Sequence, residues 1–345
     1  MISIRRIAVP YSDRQRFGLA AAAALLGAVF ASGTAGAQSS RNSVVHYNAD
    51  NETEYQQKWT NQPFGVGELA VGGTRTTTKS GTTVTAVPFR TGVDYSVFDH
   101  VKYIAISTQN FAVPENGSLE FEAEMTARTP GTQPGRMVVG CYGPYGSYTD
   151  TSAACSQPFQ HVVREGQQAG VVLNMINFET GQLFDWFISG NTAFALIERL
   201  PSNITGSPGT PVEKAYTQII KEVPVTPGKK HKVAIRYTRG PSASYVEYFL
   251  DGDLFTRVDN VGIPLDQQNK LYTGYAPSLG AGEPLKSRLN SFVIAHGLFS
   301  LLDAFPYHHP DRPDLSVSIP VSQRLFGQGA IGNWDKFKVT TKVHN

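Results

Sequence analysis

The sequence lacks most of the motifs that announce a chemistry. It has only two cysteines, Cys141 and Cys155, with no histidine at zinc-site spacing from them, which argues against a metal centre. There is no G-x-S-x-G elbow, no P-loop and no dinucleotide fingerprint. No cofactor is therefore implied. Charged residues make up only 17% of the chain, with no basic stripe of the kind that tracks nucleic acid or an anionic membrane. Helical periodicity is weak, and beyond the N-terminus there is no long apolar run, so no membrane insertion is expected.

The N-terminus is different. Arg5, Arg6, Arg14 and Arg16 precede an uncharged apolar run from Phe17 to Phe30, and Ala35-Gly36-Ala37 follows. This tripartite layout predicts a secretory signal over 1–37, cleaved before Gln38. The apolar run, about 14 residues, is shorter than the roughly 20 needed to span a bilayer. Residues 1–37 carry four Arg and one Asp, so their removal takes the formal charge from +2 to about −1. The expected product is a secreted or periplasmic chain of about 308 residues, with a polar, lightly structured lead-in over 38–60 and one β-sandwich domain over 61–345. In an oxidising compartment Cys141 and Cys155 are expected to form a disulfide.

The remainder reads as short strands broken by Gly and Pro. Leu119 to Met125 alternates apolar residues with Glu120, Glu122 and Glu124, the pattern of a half-buried strand. Tyr245 to Leu250 and Asp253 to Val258 flank Asp251-Gly252, a strong type I′ hairpin signal. Gly170 to Asn177 and Gln182 to Leu200 add further strands. Trp334 to Val339 is a closing strand, and Asn290 to Leu302 fits either a short helix or a strand. The fold class is all-β, an antiparallel two-sheet sandwich.

The segments HKVAIRYTRG, YVEYFLDGDLFTRV and GAIGNWDKFKVTT together resemble concanavalin A-like lectin and glucanase domains, which implies a jelly roll. FDHVKYIAISTQNF (98–111) and NFETGQLFDWFISGNTAFALIERLP (177–201) resemble the bacterial and fungal domain-of-unknown-function family 6081. That resemblance implies the same fold and transfers no catalytic residues.

Several residues are candidates for chemistry. Glu120, Glu122 and Glu124 share one strand face, as in the E-x-D-x-E strand of laminarinase-type glycoside hydrolases. A Glu at the centre and the missing flanking Trp depart from that pattern, so the three are read as a solvated face. Asp185 is more pointed, because it interrupts a run that is apolar on both faces, and a carboxylate buried there must be paired or functional. If Gly190-Asn191 is a two-residue turn, Asp185 faces Leu196 and shares a face with Glu198. If the loop takes three residues, Asp185 pairs diagonally with Arg199 in a structural ion pair. The first register makes Asp185 and Glu198, with Glu179 nearby in sequence, the candidate catalytic acids. Tyr142, Tyr145 and Tyr148, with Trp186 and Arg199, are the candidate substrate-binding residues, since Tyr pairs an apolar ring with a polar tip. His100 reads as structural, and His308-His309 near Asp311 and Asp314 reads as loop rather than metal site.

The functional expectation is carbohydrate recognition, with cleavage by a carboxylate pair if the protein is a glycoside hydrolase or lyase. The alternatives are a non-catalytic carbohydrate-binding module and an exported protein that binds or tailors a small molecule. An acid-rich cleft favours the enzyme, and a closed apolar pocket favours the small molecule.

Overall fold

The computed structural model describes residues 42–61, 73–90, 100–142, 157–199, 216–261, 283–285, 289–304, 317–319 and 321–344. Two large antiparallel sheets face each other. The first has the order β16 (Asp253–Val258), β15 (Ser244–Leu250), β14 (Lys230–Arg239), β7 (Gly117–Arg128), β21 (Ala330–Val343), β4 (Gly81–Ala86) and β3 (Thr74–Thr78). The second has the order β13 (Tyr216–Pro224), β12 (Thr192–Arg199), β11 (Gln182–Ile188), β10 (Gly170–Asn177), β19 (Ser291–Phe299), β5 (Val101–Ser107) and β2 (Trp59–Thr60). The chain crosses repeatedly between the sheets, and its last strand returns beside β7. This is the antiparallel jelly roll of concanavalin A-like type expected from the sequence. A separate three-stranded sheet joins β20 (Val317–Ser318), β8 (Arg136–Tyr142) and β9 (Gln157–Val163), β17 (Asn260–Val261) pairs with β18 (Glu283–Pro284), and β6 (Phe111–Ala112) pairs with β19.

The alternation on β7 does what its pattern dictates. Leu119, Phe121, Ala123 and Met125 are buried between the sheets. The three glutamates point outward and are matched by cations on both neighbouring strands: Glu122 meets Lys232 (2.8 Å) and Lys338 (2.7 Å), and Glu124 meets Lys230 (3.0 Å) and Lys336 (2.6 Å). Glu120 is bound by Nε of Arg236 at 2.8 Å. The Asp251-Gly252 turn takes φ of 54° and 98°, left-handed values that suit the predicted I′ hairpin. Asn290 to Leu302 resolves as the strand β19 followed by a 3₁₀ turn at Leu301–Ala304.

Three hydrogen bonds stitch the sheets across the core. Trp334 Nε1 donates to the Val172 carbonyl (3.0 Å), Trp186 Nε1 to the Ala234 carbonyl (2.9 Å), and the Tyr248 hydroxyl to the Leu196 carbonyl (2.8 Å). Each satisfies a polar handle on a large buried ring.

The lead-in differs from its expectation. Residues 42–60 are built into the sandwich through β1 (Ser43–His46), which pairs with β21, the helix α1 (Glu52–Lys58), and β2, which pairs with β5. Tyr47, Tyr55 and Trp59 are buried. Their polar neighbours dominate the local composition, and only the distant strands supply the surface these rings cover.

β10, β11 and β19 are buried on both faces. One face joins the inter-sheet core. The other, pointing away from the first sheet, holds a second apolar cluster that includes Val172, Leu183, Phe187, Phe194, Leu196 and Ala295.

Candidate functional site

The β11–β12 hairpin takes the two-residue turn. Ser189 N donates to the Thr192 carbonyl (2.8 Å), Phe187 faces Phe194, Asp185 faces Leu196, and Leu183 faces Glu198. With a side-chain period of two, Asp185 and Glu198 are diagonal neighbours on the outward face. On the other side Asp185 stands directly opposite Asn174 of β10, whose Nδ2 donates to Asp185 Oδ1 at 2.7 Å.

Asp185 is 1% exposed and Asn174 2%. Burial holds the Asp185 carboxyl well above the usual carboxylate range, and the Glu198 charge raises it further, while the Asn174 hydrogen bond pulls the other way. The Asn174 Oδ1 atom is buried and accepts nothing from the protein. Stacked rings of Phe187 and Phe194, 5.0 Å apart and nearly parallel, lie on the same face one row toward the turn. A buried carboxyl whose pKa is raised, next to a second carboxyl on an apolar floor, is suited to donate a proton.

The other predicted residues are distributed differently. Trp186 and Arg199 are buried on the opposite, inter-sheet side of the same strands, with Trp186 in the core and Arg199 Nε donating to the Thr180 carbonyl (3.4 Å). The hairpin therefore brings Glu198, and not Arg199, to Asp185. Glu179 is exposed in the turn between β10 and β11. Cys141 and Tyr142 end β8, while Tyr145, Tyr148 and Cys155 lie outside the described residues, as do His308, His309, Asp311 and Asp314. His100 lies against Phe299, ring centroids 5.6 Å apart. Among the described residues no group of three or more metal-capable side chains occurs, and no helix is long and apolar enough to cross a membrane.

A second buried polar cluster escaped the sequence reading. His296, on the inter-sheet face of β19, is fully buried, and its Nε2 lies 2.9 Å from the Tyr55 hydroxyl. Tyr55 also bonds the Tyr103 hydroxyl, and the Arg75 guanidinium, ion-paired with Glu52, sits 4.4 Å above the Tyr55 ring. Burial first, and then the Arg75 charge, push the His296 imidazole down to about 3. The available signal was His296 itself, a titratable residue inside the apolar run Phe292 to Phe299.

Solved structures with similar chain paths include an endo-1,3-beta-glucanase from Streptomyces sioyaensis, 13% identical over 90% of this chain and 100% of that one, with a TM-score of 0.37. An exolytic PL7 alginate lyase from Zobellia galactanivorans is 11% identical over 76% of this chain and 85% of that one, TM-score 0.40. The metal-free carbohydrate recognition domain of Emp46p is 6% identical over 84% and 89%, TM-score 0.31. No curated protein matches the chain. A model of a family of unknown function, DUF6081, matches residues 52–144 and 147–343, and the chain belongs to that family.

Proposed function

We propose that the outward face of the second sheet recognises a glycan and that Asp185 and Glu198 act together on its glycosidic linkage. The observation that supports this most is the pair itself: a buried carboxyl whose pKa is raised by burial, with a second carboxyl as its diagonal neighbour. In this reading Asp185 gives its proton to the leaving oxygen as the glycosidic bond breaks. Glu198 then acts on the anomeric carbon, either attacking it directly or taking a proton from the attacking water. Carboxyl separations of about 5–5.5 Å suit the first course and about 6.5–9.5 Å the second. Diagonal strand neighbours, roughly 7–8 Å apart at Cα, can supply either. Glu179, Tyr142, Tyr145 and Tyr148 are proposed to extend the site along the substrate. Export after loss of 1–37 belongs to the same proposal, and N-terminal sequencing of protein from the producing culture should begin at Gln38.

The test is a polysaccharide-degradation panel read by reducing ends, run beside a glycan array. Cleavage lost in both Asp185→Asn and Glu198→Gln, with unfolding temperatures close to the parent, supports the enzyme. Array binding without cleavage reduces the claim to recognition. Neither binding nor cleavage defeats it.

One observation favours a second reading. Leu183, Phe187, Phe194 and Leu196 surround the acid pair and are themselves buried, which suits a small apolar ligand with one polar group. Native mass spectrometry of protein purified from its host would reveal such a molecule as a retained adduct.

A further inference from the structure

At the turn end of the same hairpin lies a cleft of about 240 Å³, bounded by Arg164, Glu165, Asn191, Thr192 and Glu222. It is separate from the Asp185 pair. Thr192 and Glu198 both point outward from β12, six residues apart, which is roughly 20 Å at about 3.3 Å per residue. We propose that this cleft is a binding site for a single neutral, hydroxyl-rich ring, such as one sugar residue, independent of any chemistry at Asp185.

The Glu165 carboxylate is the anchor. It opens the short helix α2 (Glu165–Gln168), which is docked so tightly over β12 that a Cβ on Gly166 would stand 2.3 Å from the Phe194 ring. Its Oε1 accepts hydrogen bonds from the hydroxyls of Thr132 (2.6 Å) and Thr129 (3.2 Å), which clamp the group in place. Its Oε2 is screened from bulk solvent and has no hydrogen-bond partner in the protein. Leaving a charged oxygen in that state is costly. Glu165 lines the cleft, where a ligand hydroxyl that reaches Oε2 would donate to it.

The surroundings define the ligand class. Arg164 forms an ion pair with Glu222 at the rim. That pair neutralises itself and leaves the Glu165 charge, which repels an anion. The Asn191 Oδ1 accepts from the Thr192 hydroxyl (2.9 Å), and the Asn191 amide, which also lines the cleft, is a donor group. Pro134, Val223 and Pro224 add apolar wall between these groups. Alternating apolar wall and hydrogen-bonding groups match a pyranose, with its CH faces and hydroxyl edges. The volume is below the roughly 300 Å³ at which drug-sized pockets begin, so one ring is accommodated rather than several.

The test is saturation-transfer NMR on the full purified chain at millimolar methyl glycosides of glucose, galactose and mannose, with ethanolamine as the cationic control. At least one glycoside should show transfer. Thr192→Trp, which fills the cleft, should abolish it, and Glu165→Gln should weaken binding about fivefold or more through loss of a hydrogen bond to a charged group. Lys79→Gln, in the exposed β3–β4 turn of the other sheet, should leave it unchanged. If Glu165→Gln fails to fold, Thr192→Trp at the turn carries the test alone. Transfer that persists undiminished in Thr192→Trp, transfer lost in Lys79→Gln, binding of ethanolamine alone, or no transfer to any glycoside overturns the assignment.

Discussion

Asn174 and Asp185 face each other across β10 and β11 and share a 2.7 Å hydrogen bond from amide to carboxyl. Apart from Glu198, their neighbours on that face are apolar, so ionising Asp185 is costly in the folded state. Its folded pKa is raised, for burial first and Glu198 second. Such a group contributes stability that is complete below the unfolded value near 3.9 and is lost as pH rises toward the folded one. Asp185→Asn keeps the shape and removes the titration. The variant should gain on the parent as pH rises from about 4 to 8, by about 1.4 kcal/mol for every tenfold by which folding weakens the acid. Thermal melts across that range should diverge, and parallel curves would show that Asp185 ionises freely.

His296 pushes in the opposite direction. Its imidazole is lowered to about 3 in the fold, while the unfolded chain takes up a proton near 6.5. Between those values the unfolded state binds more protons, so stability falls as pH falls. The direct check is the imidazole resonance of His296, which should stay neutral and unshifted from pH 8 down to about 4. Tyr55→Phe removes the hydroxyl bonded to both Tyr103 and His296. It should cost about 1–3 kcal/mol, the usual penalty for leaving buried polar groups unpaired, and an unchanged denaturant midpoint would contradict the clamp.

What the sequence revealed depended on how local the cause was. Strand β7 was legible because its alternation is a property of consecutive residues. The Asp251-Gly252 hairpin was legible because its φ values belong to the two residues themselves. Asp185 stood out because a charge inside an apolar run needs an explanation wherever the strand goes. Whether it met Glu198 or Arg199 rested on one residue of loop, and the two-residue turn settles it for Glu198. β19 was ambiguous because a strand buried on both faces loses its alternation. The contacts of Tyr55 with Tyr103 and His296 span 48 and 241 residues, and nothing in local pattern announces them. Trp186 looked like a ligand platform because its register against the other sheet is equally non-local.

The cysteines give a further expectation. The proposed pairing of Cys141 with Cys155 rests on the proposed export and on a spacing that closes a loop of about 15 residues, worth roughly 3 kcal/mol in the chain-entropy model. Mass spectrometry of the non-reduced chain should find no free thiol. Two cysteines that alkylate without denaturant would remove the idea.

The outward face of the first sheet makes the last prediction. Glu122 lies between Lys232 and Lys338, and Glu124 between Lys230 and Lys336. Burial raises the Glu122 carboxyl, but its hydrogen bonds to Lys232 and Lys338 outweigh this and the net shift is downward. Glu124 is lowered chiefly by Lys336. A depressed carboxylate contributes stability above its unfolded pKa, near 4.3, that is lost as pH falls through the folded value. Solvent screens the two Glu122 pairs, so each contributes only about 0.2–1 kcal/mol. Glu122→Gln should therefore lower the unfolding temperature by a few degrees at neutral pH and low salt. The difference should shrink as pH falls through the folded value, where the parent glutamate also becomes neutral, and shrink again in molar salt. A deficit that persisted under both conditions would mean that Glu122 acts through packing rather than charge, and a loss of glycan cleavage in this variant would move the catalytic assignment from Asp185 to the β7 strand.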